Sequence, residues 1–240
     1  MAGEPEWEAE AERWVRWART PGHDAYWYFR ESFFDLIVPA PGRRTLEIGC
    51  GEGRVARDLA VRGHRVTGID TAQTLLRYAR QDDSTGAYVR AESRALPFPD
   101  RCFDLAVAYN SLQSLQKADD MAATVCEAGR VLDRGGHLCA CLAHPVTDLG
   151  GFTGDDPGSQ YVMRRRYFET VRVEDTVQHG GLTMTFHGWT YSLEQYTVAL
   201  EQAGFHIEAV REPLPTGAAG GYERWRDVPL FLFIRAVKSQ

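Results

Sequence analysis

A short strand that runs into a glycine-rich turn and then into a helix constrains the fold more than any other part of the sequence. Residues 46–54 read LEIGCGEGR, with glycines at three alternating positions, 49, 51 and 53. Such glycines let the backbone turn tightly and approach a ligand without hindrance from a Cβ atom. The helix after the turn begins with unpaired N–H groups, which attract polar or negative groups. The motif therefore predicts a site for a small polar ligand.

The spacing around this turn indicates which ligand it binds. A dinucleotide site has the pattern G-x-G-x-x-G, but Arg54 stands where the third glycine is needed, so a nicotinamide cofactor is disfavoured. Asp70 ends the next predicted strand, about 20 residues after Gly49. A carboxylate there can accept hydrogen bonds from both hydroxyls of a ribose. We therefore expect a ligand that contains a nucleoside.

Short apolar runs alternate with amphipathic stretches from residue 44 to about residue 143. This alternation predicts a parallel sheet with helices on both faces. Together with a helix at 192–203 and two later strands, it predicts a doubly wound α/β fold with a mostly parallel, seven-stranded sheet. The predicted strands are Thr45–Ile48, Arg65–Ile69, Ala87–Arg90, Phe103–Tyr109, His137–Leu142, Phe205–Arg211 and Pro229–Ala236.

The chain is interpreted as one domain with four parts. Residues 1–41 form an N-terminal helical cover, and residues 42–144 form the ligand-binding core. Residues 145–190 are an inserted lid or substrate wall, with a hairpin turn at Gly180-Gly181 between two strands, Tyr167–Val177 and Leu182–His187. Residues 191–240 hold a helix capped by Ser192, the last strands and a flexible glycine-rich loop at 217–221.

Composition excludes several classes of protein. The 27 basic and 33 acidic residues give a net charge of −6, which argues against a nucleic-acid partner. No stretch reaches the roughly 20 apolar residues of a membrane span, and the N-terminus is acidic, unlike a signal peptide. The five cysteines are predicted to be reduced, buried, structural thiols, and no metal site is expected. We therefore expect a soluble, cytoplasmic protein with no membrane partner; an oligomer is compatible with the sequence but unspecified.

Four ordered motifs resemble those of the class I S-adenosylmethionine-dependent methyltransferases. They are the glycine turn at 47–53, the Gly-Ile-Asp at 68–70, the segment LPFPD at 96–100 before Phe-Asp-Leu, and Arg-Val-Leu at 130–132 before two glycines. The resemblance is strong over residues 42–143 and looser over 191–237. It implies a Rossmann-like methyltransferase fold, S-adenosylmethionine as the cofactor and methyl transfer as the reaction.

The resemblance also implies cofactor contacts. Gly49 and Gly51 lie under the methionine part, Asp70 holds the ribose, Glu92 and the Ser93 backbone meet the adenine, and Asn110 lies beside the reacting methyl. Glu92 departs mildly from the family, which usually has aspartate there. The full set of predicted cofactor-binding residues is Tyr26, Arg30, Glu47, Gly49, Cys50, Gly51, Asp70, Thr71, Glu92, Ser93 and Asn110.

Methyl transfer needs a general base only when the acceptor must lose a proton. His144 follows the fifth predicted strand at the carboxyl edge of the sheet, where such folds bind ligands, and is the first candidate. His187 in the insert is the second, if the hairpin folds over the sheet. Tyr26 and Tyr191 are weaker candidates because a tyrosine titrates near pH 10. Arg164-Arg165-Arg166 is read as a solvated run, with a phosphate or acidic group as the alternative ligand.

The sequence thus predicts transfer of a methyl group to an O, N or C nucleophile of a small molecule. No motif specifies that acceptor. Three alternatives stay open at this point: a non-catalytic module that binds the cofactor for sensing, a nicotinamide-dependent reductase, and a methylase of RNA or protein.

Overall fold

A computed structural model of the chain describes residues 6–154, 158–217 and 222–239. In these ranges the helices are α1 (Glu6–Arg19), α2 (Tyr26–Leu36), α3 (Arg54–Val61), α4 (Gln73–Asp82), α5 (Asp120–Val131) and α6 (Leu193–Gln202). The strands are β1 (Arg44–Ile48), β2 (Arg65–Asp70), β3 (Ala87–Arg90), β4 (Phe103–Tyr109), β5 (Leu132–Ala143), β6 (Gly150–Phe152), β7 (Tyr161–Met163), β8 (Arg172–His179), β9 (Leu182–Trp189), β10 (Phe205–Arg211) and β11 (Phe231–Lys238). None of the helices in this described part is long and apolar enough to cross a bilayer.

Seven strands form one sheet in the order β10-β11-β5-β4-β1-β2-β3. The strands from β5 to β3 pair in parallel, whereas β11 pairs antiparallel with both β5 and β10. The prediction of a mostly parallel, seven-stranded sheet is therefore confirmed. After β1 the chain forms β2 and β3 on one side of that strand, and it then crosses back to form β4 on the other side. The carboxyl ends of β1 and β4 consequently flank the crevice in which doubly wound folds bind ligands.

Strand β5 shows how both faces of the sheet are covered. Leu138 and Leu142 point to the cluster formed with α5 and α6, while Cys139 and Cys141 point to the cluster formed with α2 and α3. On the α2 side, Phe33 is fully buried between Tyr109 and Phe233. Burial of a side chain of this kind contributes about 1.5–3 kcal/mol.

The cysteine prediction is confirmed in part. All five cysteines are free thiols, and three of them, at 50, 139 and 141, are buried. Burial raises the pKa of the Cys139 thiol, which keeps it protonated and unreactive. Cys126 is exposed on α5, so the prediction of burial is wrong for this residue: it lies on the helix face opposite the buried Val125 and Ala128.

The insert folds into two small sheets, β6–β7 and β8–β9. The predicted hairpin turn is present, with φ of 53° at Gly180 and 78° at Gly181, the left-handed values that a two-residue hairpin turn requires. Strand β8 begins later than predicted, because the preceding segment docks on α6: Leu193 N donates to the Tyr167 hydroxyl at 3.0 Å. The predicted loop at 217–221 lies outside the described residues apart from its first glycine.

Helix α6 begins where the sequence predicts. The Ser192 hydroxyl accepts from Gln195 N at 3.3 Å, and the Gln195 side chain accepts from Ser192 N at 2.9 Å. This reciprocal capping box satisfies two backbone donors that the first turn would otherwise leave unpaired.

Candidate active site

The glycine turn lies directly against the loop that follows β4. Gly49, Gly51 and Gly53 have φ values of 71°, 55° and 85°, in the left-handed region. A Cβ on Gly49 would lie 2.5 Å from the Ser111 Cβ, and the Ser111 hydroxyl donates to the Ile48 carbonyl at 2.6 Å. Both the backbone conformation and the close approach of Ser111 therefore require glycine at position 49.

Asp70 connects the turn to the end of β2. Its carboxylate accepts from Gly51 N and from Ala72 N, each at 2.9 Å. Burial raises the pKa of Asp70, whereas these bonds and the adjacent Thr71 backbone act in the opposite direction. The carboxylate is therefore held rigidly at the carboxyl edge of the sheet, beside the helix N-terminus of α4.

Two buried glutamates lie beneath the turn. Glu47 is 2% exposed, and its Oε2 has no hydrogen-bond partner among the described residues. Burial, with repulsion from Glu52, raises the pKa of Glu47 well above its usual range. Glu52 instead pairs with Arg57 at 2.8 Å. The unpaired Glu47 oxygen and the Cβ-free turn beside it fit a polar ligand in this crevice.

Arg54 was missed as a site residue by the sequence analysis, which used it only to disfavour a dinucleotide. Its guanidinium pairs with Asp24 at 2.7 Å and is mostly buried. It lies 4.2 Å from the ring centroid of Tyr26 and 4.8 Å from that of Trp14. Trp14 Nε1 in turn is 3.3 Å from where a Cβ on Gly51 would stand. The Arg54 guanidinium thus places a cation beside the glycine turn. The sequence signal that could have identified Arg54 is its position directly after the glycine motif.

Tyr26 and Arg30 both reach α3. The Tyr26 hydroxyl donates to Asp58 at 2.6 Å, and the Tyr26 ring packs on Tyr109 at the end of β4. Arg30 donates to the same Asp58 carboxylate at 3.3 Å and pairs with Glu31. The guanidinium of Arg30 is therefore directed toward the outer side of α3, away from the turn that Arg54 lines.

The predicted adenine residues lie beside Asp70. Ala91 N donates to the Asp70 carbonyl at 3.1 Å, which places the segment after β3 next to the end of β2. Glu92 is exposed there and pairs with Arg94 at 2.7 Å. The Ser93 hydroxyl bonds to the Thr124 hydroxyl at 2.8 Å, which leaves the Ser93 backbone beside the crevice.

Asn110 has a strained backbone, with φ of 53°. A positive φ at a residue other than glycine is uncommon and marks functional positions. Asn110 N donates to the Cys141 carbonyl at 2.8 Å, and its Oδ1 accepts from Gln113 at 3.4 Å. Gln113 is buried, and its Oε1 has no partner among the described residues. No sequence motif distinguishes Gln113, so it is not among the predicted site residues.

His144 is at the carboxyl edge of β5, as predicted, with both ring nitrogens bonded. Nε2 is 3.0 Å from Glu212, and Nδ1 accepts from Val146 N at 3.2 Å. The Nδ1 bond requires the tautomer with its proton on Nε2, donated to Glu212. Burial lowers the pKa of His144, so the ring is neutral at neutral pH. Further along the same segment, Asp148 is a group that the sequence analysis missed: burial raises its pKa to about 6.

His187 lies in β9, and the pleat of that strand fixes its direction. Phe186 packs on Trp14 and Trp17, and Gly188 abuts the Gln113 carbonyl, so these neighbours face the sheet edge. Successive side chains of a strand point to opposite faces. His187 therefore projects from the other face, where Nδ1 lies 3.7 Å from Glu174 across the hairpin. The expectation that His187 faces the acceptor does not match this orientation.

Helix α1 and the β8–β9 hairpin cover the carboxyl edge together. Glu8 accepts from Thr74 N and from the Thr74 hydroxyl, the latter at 2.6 Å, and so caps the N-terminus of α4. Trp14 of α1 contacts Phe186 of β9 at 6.3 Å between ring centroids. The N-terminal helix is thereby fastened both beside Asp70 and beneath the hairpin.

Strand order, glycine turn and terminal carboxylate together define an α/β protein that binds a nucleoside-containing cofactor at the crevice between β1 and β4. Comparison with known proteins specifies this class further. The methyltransferase domain family matches residues 46–140. Residues 46–140 thus form a methyltransferase domain, and the chain is similar to class I S-adenosylmethionine-dependent methyltransferases, as the sequence motifs predicted.

Individual relatives agree with this family. Demethylmenaquinone methyltransferase of Tropheryma whipplei (strain Twist) is 29% identical over 189 residues, covering 76% of this chain and 73% of the relative. Malonyl-[acyl-carrier protein] O-methyltransferase of Serratia marcescens is 35% identical over 124 residues, covering 51% and 48%. The crystal structure of an S-adenosylmethionine-dependent methyltransferase from Mesorhizobium loti superposes with a TM-score of 0.69 at 25% identity, covering 90% of this chain and 98% of that one.

Proposed function

We propose that this enzyme transfers the methyl group of S-adenosylmethionine to an O, N or C nucleophile of a small molecule. The observation that carries the proposal is the glycine turn held against Ser111 with the Asp70 carboxylate bonded to Gly51 N. Relatives named as methyltransferases of demethylmenaquinone and of malonyl-[acyl-carrier protein] support the reaction and a small acceptor group. Nothing in the comparisons supports a reductase or a non-catalytic sensor.

The bound cofactor supplies an electrophilic methyl on a sulfonium whose departure leaves a neutral thioether. The protein's main task is therefore to align the acceptor with that methyl, and alignment can recover roughly 7–11 kcal/mol of the barrier. We propose that the strained Asn110 and the buried Gln113 amide position the reacting groups at the carboxyl end of β4. The inward-facing Phe186 of the hairpin excludes water from the same edge.

The cofactor itself is proposed to lie along the crevice from Asp70 to Arg54. Asp70 would hold the ribose, with Thr71 beside it, and the turn at 49–51, including Cys50, would lie beneath the methionine part. Glu92 and the Ser93 backbone would meet the adenine. Glu47, Tyr26 and Arg30 would support the site from below and behind, because Tyr26 and Arg30 bond to Asp58 of α3 and the Glu47 oxygen is buried beneath the turn.

We propose that His144 takes the acceptor's proton when the acceptor has one to lose, and that His187, which faces away from the acceptor, has an indirect role through the hairpin. Glu212 holds His144 Nε2–H, which leaves the Nδ1 lone pair as the accepting group once Val146 N moves away. We expect His144→Ala to lower kcat by about tenfold, below the roughly 10²–10⁴-fold of an ideally placed base, because Val146 competes for Nδ1. His187→Ala should lower kcat only a few-fold, since His187 acts through the hairpin.

Steady-state kinetics and calorimetry with S-adenosylhomocysteine check both histidine variants. The dissociation constant should stay within about twofold of the parent for each. Unchanged kcat in both variants would remove the histidines from the mechanism.

A two-stage experiment tests the proposed function. Titration calorimetry should show binding of S-adenosylmethionine and S-adenosylhomocysteine and none of NAD. Incubation with S-adenosylmethionine and a panel of phenols, carboxylic acids and amines should then yield a product heavier by one methylene in mass spectrometry. Binding of NAD in preference to either compound would contradict the proposal, and tight binding without any methyl transfer would favour the sensor.

We further propose that the enzyme acts in the cytoplasm and has no nucleic-acid partner. The net charge of −6 opposes binding to a polyanion, and the basic side chains of the described core are mostly taken up in ion pairs, as Arg44 is with Asp104 and Arg130 with Glu127.

A further inference from the structure

One stretch of the insert is exposed over seven consecutive positions except for one half-buried tyrosine. Residues 162–168 read VMRRRYF, and we call them the arginine segment. Phe168 is 82% exposed, Met163 53% and Val162 40%. Leu193, 42% exposed, lies beside the segment because its amide donates to Tyr167. Exposed apolar side chains are common singly, but three within seven residues and a fourth on the adjoining helix turn indicate an interaction surface.

The charges of the arginine segment are largely available. Arg164 makes no side-chain hydrogen bond or ion pair within the described ranges. Arg166 forms an exposed pair with Glu169 at 3.3 Å, and 85% of its side chain is open to solvent. Arg165 donates to the Asp148 carbonyl at 2.6 Å and so fixes the segment to the body of the enzyme. The surface therefore offers two guanidinium groups on an otherwise acidic protein.

The arginine segment is at the same edge of the sheet as the active site. Arg164 N and Arg165 N donate to the Leu149 carbonyl, five residues after His144 at the end of β5. Tyr167 contacts the N-terminus of α6, and this helix runs back from the carboxyl edge to β10. A surface that contacts the segment therefore lies at the edge of the sheet that carries the candidate active site.

We infer that the arginine segment docks this enzyme on an anionic phospholipid surface, with Phe168 and Met163 inserted among the acyl chains and Arg164 and Arg166 on lipid phosphates. Arginine side chains can lay their stems along apolar surface while the guanidinium stays at phosphate level. A fluid lipid phase accepts projecting side chains without complementary pockets, whereas a protein partner needs a pocket for each anchor. This contact lies on the membrane surface and needs no spanning helix.

The inference is independent of the proposed acceptor, so the two can fail separately. It refines the expectation of no membrane partner, which rested on the absence of a spanning segment. Of the two interpretations that the sequence allows for the three consecutive arginines, the inference favours phosphate binding over a solvated run. A global charge of −6 predicts repulsion from anionic vesicles, so binding to them has to come from a local surface such as this one.

Vesicle co-sedimentation with the full chain tests the inference. We expect binding to vesicles of equal parts phosphatidylcholine and phosphatidylglycerol, weak binding to pure phosphatidylcholine, and loss of binding in high salt. Arg164→Gln and Arg166→Gln should each weaken binding by about fivefold. Phe168→Ala should weaken it by about tenfold. Affinity for S-adenosylhomocysteine should be unchanged in all three, because none of them touches the cofactor crevice.

Matched controls lie at the opposite edge of the sheet. Val61 on α3 is 85% exposed, and Arg134 is exposed near the start of β5, so Val61→Ala and Arg134→Gln should bind vesicles like the parent. Three results would overturn the inference: no preference for the anionic vesicles, equal losses in the control variants, or a dimer in light scattering that Phe168→Ala dissociates. Binding of an acidic carrier protein through the segment, without vesicle binding, would likewise assign the surface to a protein.

Discussion

Asp70→Ala is expected to weaken the binding of S-adenosylhomocysteine by about 10- to 150-fold, the equivalent of a charge-assisted contact of roughly 1.5–3 kcal/mol. The carboxylate sits at the carboxyl end of β2, and its oxygens are already oriented by Gly51 N and Ala72 N. Such preorientation means that little further ordering is needed when the ribose hydroxyls arrive. Titration calorimetry gives the dissociation constant directly.

Asp70→Asn removes the negative charge and keeps one oxygen, for Ala72 N. Its NH2 group replaces the oxygen that accepts from Gly51 N, so we expect both the affinity and the melting temperature to fall. Asp133→Ala serves as the control, because Asp133 is a half-exposed carboxylate at the far end of β5. An unchanged affinity in both Asp70 variants would remove Asp70 from the cofactor site.

Arg54→Ala should produce the second large effect. It should weaken the binding of ligands that carry the cofactor's amino-acid end and leave the binding of ligands without it nearly unchanged. The Arg54 guanidinium lies beside the glycine turn, in contact with Trp14 and Tyr26, and it pairs with Asp24. We expect roughly 10- to 100-fold weaker binding of S-adenosylhomocysteine, because a charge-assisted contact with the carboxylate is removed. Binding of 5′-methylthioadenosine, which lacks the carboxylate, should change by less than about threefold.

Arg30→Ala is the matched control, since Arg30 is the other arginine near Tyr26 and was predicted from the sequence to bind the cofactor. Its partners are Asp58 and Glu31, so we expect both ligands to bind it as they bind the parent enzyme. The opposite result, with selectivity lost in Arg30→Ala and kept in Arg54→Ala, would return the carboxylate contact to Arg30. Equal losses for both ligands in Arg54→Ala would indicate a structural role for its pair with Asp24.

Most of the sheet was predictable because its signals are local. Ala87–Arg90, Phe103–Tyr109 and Phe205–Arg211 begin and end where the apolar runs do. Strand β5 starts five residues earlier than predicted, at Leu132. Leu132 pairs with Phe103 and His137 pairs with Leu105, so the register shifts between these two pairs, in the stretch that contains Gly135. A polar, glycine-rich stretch of strand gives no hydrophobic periodicity to detect.

The site was predictable only as far as it depends on position along strands. Gly49 and Asn110 directly follow strands, and Asp70 ends one. Parallel pairing therefore brings all three to one edge of the sheet, whatever the orientation of their side chains. The direction of the His187 side chain depends on the register of a hairpin. A shift of one residue in that register would move the side chain to the opposite face. The approach of Trp14 to Gly51 and of Glu8 to Thr74 depends on how a distant helix docks, which no local pattern encodes.

The docking of that helix has a kinetic consequence. Glu8 is bonded at the N-terminus of α4 and Trp14 lies beside the glycine turn, so α1 is fastened at both ends of the crevice proposed for the cofactor. Exchange of a spent cofactor for a fresh one then requires α1 to detach, and no optimisation of the chemical step can make the enzyme faster than that detachment. The contacts of one 14-residue helix would thus set the upper limit on the turnover rate of the enzyme.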